Sequence, residues 1–150
     1  MIAKENARLC KAIGLTSKLL GIYINENLRE AGLDLTRNQF IVLKIVNQRQ
    51  GISQNELAFI TERDKTSLTR LISTLDSKNM INRVTSADDR RKKTLFITEI
   101  GIKTLNSAWP RMNALEDEIS KDITTEEFDN LINVLNKVQT NVLSLENIIQ

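Results

Sequence analysis

The sequence predicts a mainly α-helical fold carrying one small β-hairpin. Three observations carry that expectation. Gly and Pro are scarce, five and one in 150 residues, which leaves little material for tight turns and favours long helices. Apolar residues recur in steps of three and four through most of the chain, the spacing of a helix face. Between Ile81 and Ile97 the period shortens toward two, the spacing of a strand.

Helix start signals supply most of the punctuation. Thr36-x-x-Gln39, Ser53-x-x-Glu56 and Thr124-x-x-Glu127 each match the capping box. In that motif a hydroxyl and a side chain three residues on satisfy the first unpaired N–H groups of a helix. Asp64, with Ser67 three residues on, is a fourth N-cap. Each signal stands just ahead of an apolar-periodic segment. Helices are therefore expected at about 3–30, 36–48, 53–60, 64–78, 99–121 and 125–148. Between the fourth and fifth, Ile81, Arg83 and Thr85 alternate with Asn82 and Val84, and Thr94, Leu95, Phe96 and Ile97 form a β-favouring run. Those two runs read as a two-stranded hairpin with its tip near Ser86–Lys93.

The terminal helices carry long apolar stripes. Phe128, Leu131, Leu135, Val138, Val142, Leu145 and Ile149 are spaced 3, 4, 3, 4, 3, 4, a heptad seam. Leu105, Met112, Leu115 and Ile119 stripe the preceding helix, and Leu9, Ile13, Leu20, Ile24 and Leu28 stripe the first. Three stripes exceed what a hairpin and three short helices cover. An intramolecular bundle would absorb them, but a dimer interface is the preferred reading, because surplus apolar surface usually finds a partner chain. The expected organisation is an N-terminal dimerisation helix at 1–32, a central helix-and-hairpin domain at 33–100 and C-terminal dimerisation helices at 101–150.

Composition narrows the function. With one Cys and no His, a His-based zinc site, a Ser-His-Asp triad, a Cys-His nucleophile and a CxxC redox centre are all excluded within one chain. No enzyme, metal or cofactor is expected. No segment approaches the roughly 18 uninterrupted apolar residues of a membrane span. The first eleven residues carry Lys4, Glu5, Arg8 and Lys11 with no apolar run behind them, so no secretory signal is read there. A single thiol suits a reducing compartment. These features predict a soluble cytoplasmic protein with no membrane partner.

Charge is distributed unevenly. Residues 1–50 hold eight Lys+Arg against four Asp+Glu, residues 51–103 ten against seven, and residues 104–150 three against eight. A basic front and middle with an acidic tail fits one end meeting a polyanion. Within the middle, Arg90-Arg91-Lys92-Lys93 places four consecutive cations at the hairpin tip.

Segment 64–78 buries Leu68, Leu71, Ile72 and Leu75 at i, i+3, i+4 and i+7. Its other face offers Lys65, Thr66, Thr69, Arg70 and Ser73, hydroxyls and long cations that reach phosphates and base edges. The helix at 53–60 turns Leu57 and Ala58 inward, and Thr61-Glu62-Arg63 makes the turn between the two. Two helices, a short turn and a polar-faced second helix follow the helix-turn-helix plan, and the hairpin behind them makes it winged. A cationic wing tip can lay an Arg into an adjacent minor groove. For any single residue a solvated helix surface would explain as much; the combination and its order favour DNA binding.

At this point the residues resemble the MarR family of winged helix-turn-helix transcriptional regulators. Gly51-Ile52-Ser53-Gln54-Asn55-Glu56-Leu57-Ala58, then Asp64-Lys65-Thr66-Ser67-Leu68-Thr69-Arg70-Leu71-Ile72 with Leu75, look like the family's core. Lys78-Asn79-Met80-Ile81-Asn82-Arg83 is similar to its helix-to-wing junction. Asp89-x-Arg91, followed by Ile97-Thr98-Glu99 and Gly101, resembles its wing signature. The motifs span about residues 33–103, and the flanking helices match by pattern. The resemblance implies that Arg91 enters the minor groove and that Asp89 holds its guanidinium by a charge-assisted pair. It implies phosphate contacts from Arg90, Lys92 and Lys93, and a phosphate clamp from Gln54. Lys65, Thr66, Ser67, Thr69 and Arg70 would lie on or near the recognition helix in the major groove. Family members bind pseudo-palindromic operators in double-stranded DNA as homodimers built from the first and last helices, which here draws on Leu9, Ile13, Leu131, Leu135, Val138, Val142 and Leu145. Their two recognition helices stand roughly 34 Å apart. Two departures are visible: Asn79 stands where the family usually has Gly, a mild change because Asn tolerates the left-handed conformation of a C-cap, and Ile100 replaces a polar residue.

The family commonly responds to a small phenolic or lipophilic effector, which would act by preferring one spacing of the recognition helices. Tyr23, Phe40, Trp109 and Met112 are the candidates for such a pocket, although aromatics at helical spacing more often belong to the core. One branch senses peroxides through a cysteine near the N-terminus, so Cys10, between Arg8 and Lys11, is a candidate redox residue. Packing beside Leu9 and Ile13 is the preferred reading for it. The expected function is a homodimeric, sequence-specific repressor released by a ligand; the alternatives are a peroxide sensor acting through Cys10 and an interaction module without DNA binding.

Overall fold

The computed structural model describes residues 2–61, 63–85, 87, 89 and 92–146, with side chains from residue 7 to 145 among them. The elements run α1 (Ile2–Glu30), α2 (Arg37–Gln48), β1 (Ile52–Ser53), α3 (Gln54–Thr61), α4 (Lys65–Ser77), β2 (Ile81–Thr85), β3 (Lys93–Ile97), α5 (Glu99–Ile119) and α6 (Thr125–Glu146). The six helices fall close to their expected ranges, and α2, α3, α4 and α6 begin directly after their start signals.

All four caps form. Thr36 Oγ1 accepts from Gln39 N at 3.3 Å while Thr36 N donates to Gln39 Oε1 at 3.0 Å. The same reciprocal pair joins Ser53 to Glu56 and Thr124 to Glu127. Asp64 Oδ1 accepts from Ser67 N at 2.8 Å. Each such cap contributes about 1 kcal/mol. α5 runs unbroken through Pro110, which has no N–H to give the preceding turn.

The hairpin pairs Ile81 with Ile97 through Thr85 with Lys93, antiparallel. The sheet has three strands rather than two, in the order β1-β3-β2. The expected hairpin is corrected by β1, whose Ile52 and Ser53 pair with Leu95 and Thr94. Gly51, at φ +81, turns the chain out of α2 and donates its N–H to Leu95 O at 2.9 Å. That left-handed conformation suits glycine.

The core of the winged lobe gathers Val42, Leu43 and Val46 from α2, Leu57 from α3, Leu68, Ile72 and Leu75 from α4, and Ile81 and Leu95 from the sheet. Ile24 and Leu28 of α1 and Leu105, Ala108, Met112 and Leu115 of α5 are buried as well. The stripes of α1 and α5 are therefore divided: their inner residues are consumed within the chain instead of waiting for a partner. Arg37 N on α2 donates to Asn25 Oδ1 on α1 at 2.8 Å, and Arg111 on α5 hydrogen-bonds Asn27 on α1.

The end of α4 is built for close approach. Asn79 takes φ +56, the left-handed C-cap conformation expected of it. Thr98 Oγ1 donates to Asn79 O at 2.6 Å and accepts from Gly101 N at 3.0 Å, which caps α5. A Cβ at Gly101 would overlap the Met80 carbonyl oxygen, so glycine is required in this first turn. The chain divides into two compact units, residues 1–114 and 115–150. The second comprises the end of α5 and α6, whose apolar residues Phe128, Leu131, Val142 and Leu145 are exposed, Leu145 by 58%.

Candidate nucleic-acid interface

α3, the turn through Arg63 and Asp64, and α4 form the helix-turn-helix. Successive helix residues are turned by about 100°. Leu68, Ile72 and Leu75 with half-buried Leu71 therefore occupy one side of α4, and Lys65, Thr66, Thr69, Arg70 and Ser73 occupy the other, all exposed. Ser67 is half-buried between the two sides. Thr69 Oγ1 donates to Lys65 O at 2.7 Å, which leaves that hydroxyl as a hydrogen-bond acceptor toward solvent.

On one flank of α4, Gln54 and Asn55 at the start of α3 take part in two recesses. With Ser53, Lys92 and Lys93 they line one at the base of the wing. With Ala58, Lys65 and Thr69 they line another between α3 and α4. On the other flank, a groove is lined by Asn38 of α2, Arg63, Asp64 and, on α4, Ser67, Arg70 and Thr74. The structure thus brings Gln54, Lys65, Thr69, Lys92 and Lys93 together on the wing side and sets Thr66, Ser67 and Arg70 on the opposite side. Arg90 and Arg91 lie outside the described residues, and with them the expected pairing of Arg91 with Asp89. Asp89 itself is half-buried, and its carbonyl accepts from Lys92 N at 2.9 Å.

Among the described residues the ion pairs are Lys78–Asp34 at 2.7 Å and Arg83–Asp76 at 3.0 Å. Lys65, Arg70, Lys92 and Lys93 enter neither, so their charge faces outward unneutralised. Arg83 also donates from Nη2 to Ser73 Oγ at 2.8 Å, tying β2 to the recognition helix. Glu56 is held below the ordinary carboxylate range, chiefly by the Ser53 N–H and then by the Ser53 hydroxyl, with a smaller contribution from Arg49. Asn38, Asn55 and Arg63 join the polar surface without having been singled out from the sequence. Asn55 lies in the core motif and Arg63 in the turn, but neither motif nor turn assigns them a contact role, and Arg63 reaches Asn38 across 25 residues of chain.

The residues considered for an effector pocket sit differently. Phe40 and Met112 are buried, and Phe40 packs on Trp109 with ring centroids 5.7 Å apart. Lys44 Nζ lies 4.9 Å over the Trp109 ring, and Tyr23 is exposed on α1. Of the residues considered for dimerisation, Leu9, Leu131, Val142 and Leu145 are exposed, and Ile13, Leu135 and Val138 are half-buried. Cys10 is exposed, against the packed position expected beside Leu9 and Ile13. Among the described residues no helix is long and apolar enough to cross a membrane.

Comparison with known proteins places this geometry. Residues 35–93, from the turn before α2 to the start of β3, match the MarR family model. A SlyA-like transcription regulator from Listeria monocytogenes is 28% identical, with a TM-score of 0.75 over 88% of this chain and 87% of that one. A mutant MarR from E. coli, solved in complex with operator DNA, is 27% identical, with a TM-score of 0.80 over 92% of this chain and 98% of that one. The PcaV transcriptional regulator from Streptomyces coelicolor, solved with its natural ligand, shares the fold at 16% identity, with a TM-score of 0.76 over 93% of this chain and 95% of that one.

Proposed function

Since the chain belongs to the MarR family of DNA-binding transcription regulators through its winged-helix residues, we propose that it is a cytoplasmic, homodimeric repressor that a small effector releases from a pseudo-palindromic operator. The observation that carries this reading is the exposed face of α4. Lys65, Thr66, Thr69 and Arg70 project from the side opposite the buried leucines, with Gln54, Lys92 and Lys93 beside them. In the proposed complex α4 lies in the major groove, Gln54, Lys92 and Lys93 neutralise phosphates, and Arg91 of the wing enters the minor groove with Asp89 as its support.

The homodimer is supported by apolar surface left open on α1 and α6, described separately above. Release by a small effector is supported by the PcaV complex with its natural ligand, at the level of a shared fold, and the lipophilic or phenolic character of the effector is what the family resemblance implies. The exposure of Cys10 favours a second reading, release by peroxide, which requires that Cys10→Ser abolish it.

The test is binding to a duplex from the region upstream of the protein's own gene, by anisotropy across a salt series. The reading requires tight, sequence-selective binding whose logarithm falls linearly with log salt, by about 0.9 for each phosphate neutralised. Weak binding that is indifferent to sequence, on this and on duplexes selected from a random library, would overturn it.

A further inference from the structure

We propose that the groove between α2 and the first half of α4 is a second backbone-phosphate site, in which Arg63 and Arg70 hold the DNA strand on the side away from the wing. The inference rests on the DNA-binding reading and adds to it roles for Asn38 and Arg63 and a backbone contact for Arg70. The groove encloses about 430 Å³ and opens beside the exposed face of α4.

Its position follows from helix geometry. Arg70 stands five residues after Lys65, and Thr74 five after Thr69. Five residues turn a helix by about 500°, a net rotation of about 140°. Arg70 and Thr74 therefore flank the exposed face on the side away from Lys65 and Thr69, which share their recess with Gln54 and Asn55. A helix about 10–12 Å across fills a major groove about 12 Å wide, so each of its flanks faces the backbone of one strand. Gln54, Lys65, Lys92 and Lys93 serve the first strand. Arg63 and Arg70 are the cations placed for the second.

The chemistry of the groove suits a phosphate. Arg63 donates from Nη2 to Asn38 Oδ1 at 2.6 Å, and both side chains are half-buried. A guanidinium has five N–H donors in a planar fork; one bond to Asn38 fixes its plane and leaves four for a bidentate oxyanion. Holding the side chain in advance lowers the ordering cost of binding. Ser67 adds a hydroxyl at the same wall.

Asp64 also lines the groove and would repel an anion. Its carboxylate, however, accepts the Ser67 N–H at 2.8 Å and sits at the positive end of α4, and it forms no ion pair with Arg63. Thr74 contributes no donor, because its hydroxyl proton goes to Arg70 O at 3.0 Å. Two arginines against one capped carboxylate leave the groove cationic.

The test compares Arg63→Ala, Arg63→Lys, Asn38→Ala and Lys93→Ala on the operator duplex and on a scrambled duplex of equal length, each across a salt series. Arg63→Ala is expected to weaken both duplexes about equally, by roughly 5- to 10-fold, and to lower the salt slope by about 1.8, because the homodimer loses one phosphate contact in each protomer. Arg63→Lys keeps the slope but loses part of the affinity, because an ammonium lacks the fork. Asn38→Ala keeps the slope with a loss of roughly 2- to 5-fold, since the charge remains but is no longer held. A methylphosphonate scan of each strand with the wild-type protein gives a readout independent of folding. One neutral linkage on the strand away from the wing costs affinity for wild type and nothing further for Arg63→Ala.

Wild-type affinity and slope for Arg63→Ala, with both reduced for Lys93→Ala, would overturn this site and leave DNA binding intact. A loss confined to the operator would make Arg63 a base reader and refute the phosphate assignment. Binding of inorganic sulfate that Arg63→Ala abolishes, with DNA affinity unchanged, would make the groove a small-anion site and likewise refute it. If no variant changes either duplex, this site is overturned together with the phosphate contact assigned to Lys93.

Discussion

Replacing Gly101 by Ala isolates the contact that joins the winged lobe to α5. The added Cβ would overlap the Met80 carbonyl oxygen and press on Ile97 Cγ1. The first obstacle is backbone, fixed by the Thr98 N–H that donates to the same carbonyl at 3.1 Å, so it has no rotamer by which to yield. Overpacking of this kind costs about 1–3 kcal/mol. Moving the first turn of α5 also strains the Thr98 cap, at up to about 1 kcal/mol. Against this, Ala in a helix gains about 0.5–1 kcal/mol over Gly. The net loss is about 2 kcal/mol, or roughly 4–8 °C in Tm for a chain of this size. Gly14→Ala is the control, because a Cβ at Gly14 meets nothing within 4 Å and keeps only the helix gain. Urea melts followed by the fluorescence of Trp109, the single tryptophan, and by circular dichroism give both values. A Gly101→Ala protein as stable as Gly14→Ala would refute the reasoning, since the two differ in surroundings and not in the residue introduced.

Asn79→Ala is expected to destabilise by about 1 kcal/mol and Asn79→Gly to be neutral or better, because the position sits at φ +56; equal melts for the two would refute it. The lowered Glu56 and Glu127 carboxyls, each held first by a backbone N–H and then by a hydroxyl, favour the folded state when ionised. Their contribution is complete above the ordinary glutamate value of about 4.3 and is lost as pH falls through the lowered folded values, which carboxyl NMR titration of wild type, Ser53→Ala and Thr124→Ala would follow. In those variants the corresponding glutamate should return toward the ordinary range. Arg91→Ala should weaken operator binding substantially while sedimentation shows the dimer unchanged; full affinity in a folded dimer would remove the wing assignment. Leu135→Asp should raise the dimer dissociation constant, and a wild-type chain that sediments as a monomer would dispose of the dimer directly.

What was legible in the sequence was whatever is encoded locally. The three capping boxes and Asp64 need partners only three residues away, so their chemistry is visible in a string of letters and marked four helix starts closely. β1 was not legible for the opposite reason. Two residues are too few to show alternation, and Ile52 is a strand only because Leu95, forty-three residues later, is there to pair with it. The stripes of α1 and α5 were legible as apolar but not as to their occupant: periodicity reports a face, and it took the fold to show that Ile24, Leu28, Leu105 and Met112 are already covered. The Asn38–Arg63 bond has the same character as β1, since neither residue is unusual until the chain brings them to 2.6 Å.

The recognition helix is held unequally along its length, and the inequality bears on how it can read DNA. Its C-terminal half is tied at three points. Lys78 reaches Asp34 in the turn before α2 at 2.7 Å, Arg83 of β2 grips Asp76 and Ser73, and Thr98 binds Asn79 O from the head of α5. Its N-terminal half, which carries Lys65, Thr66, Thr69 and Arg70, is held by the Asp64 cap, by buried Leu68 and by the turn that Arg63 fastens to Asn38. Polar ties at the far end leave the near end free to present long and short polar groups without spending them on the protein itself. A rotation of α5 about its first turn would pass to Asn79 and Met80 through Thr98, because Gly101 leaves no gap in which the motion could be absorbed. The end of α4 and the head of α5 are therefore joined directly, by the Thr98 hydroxyl and by the close approach of Gly101 to Met80.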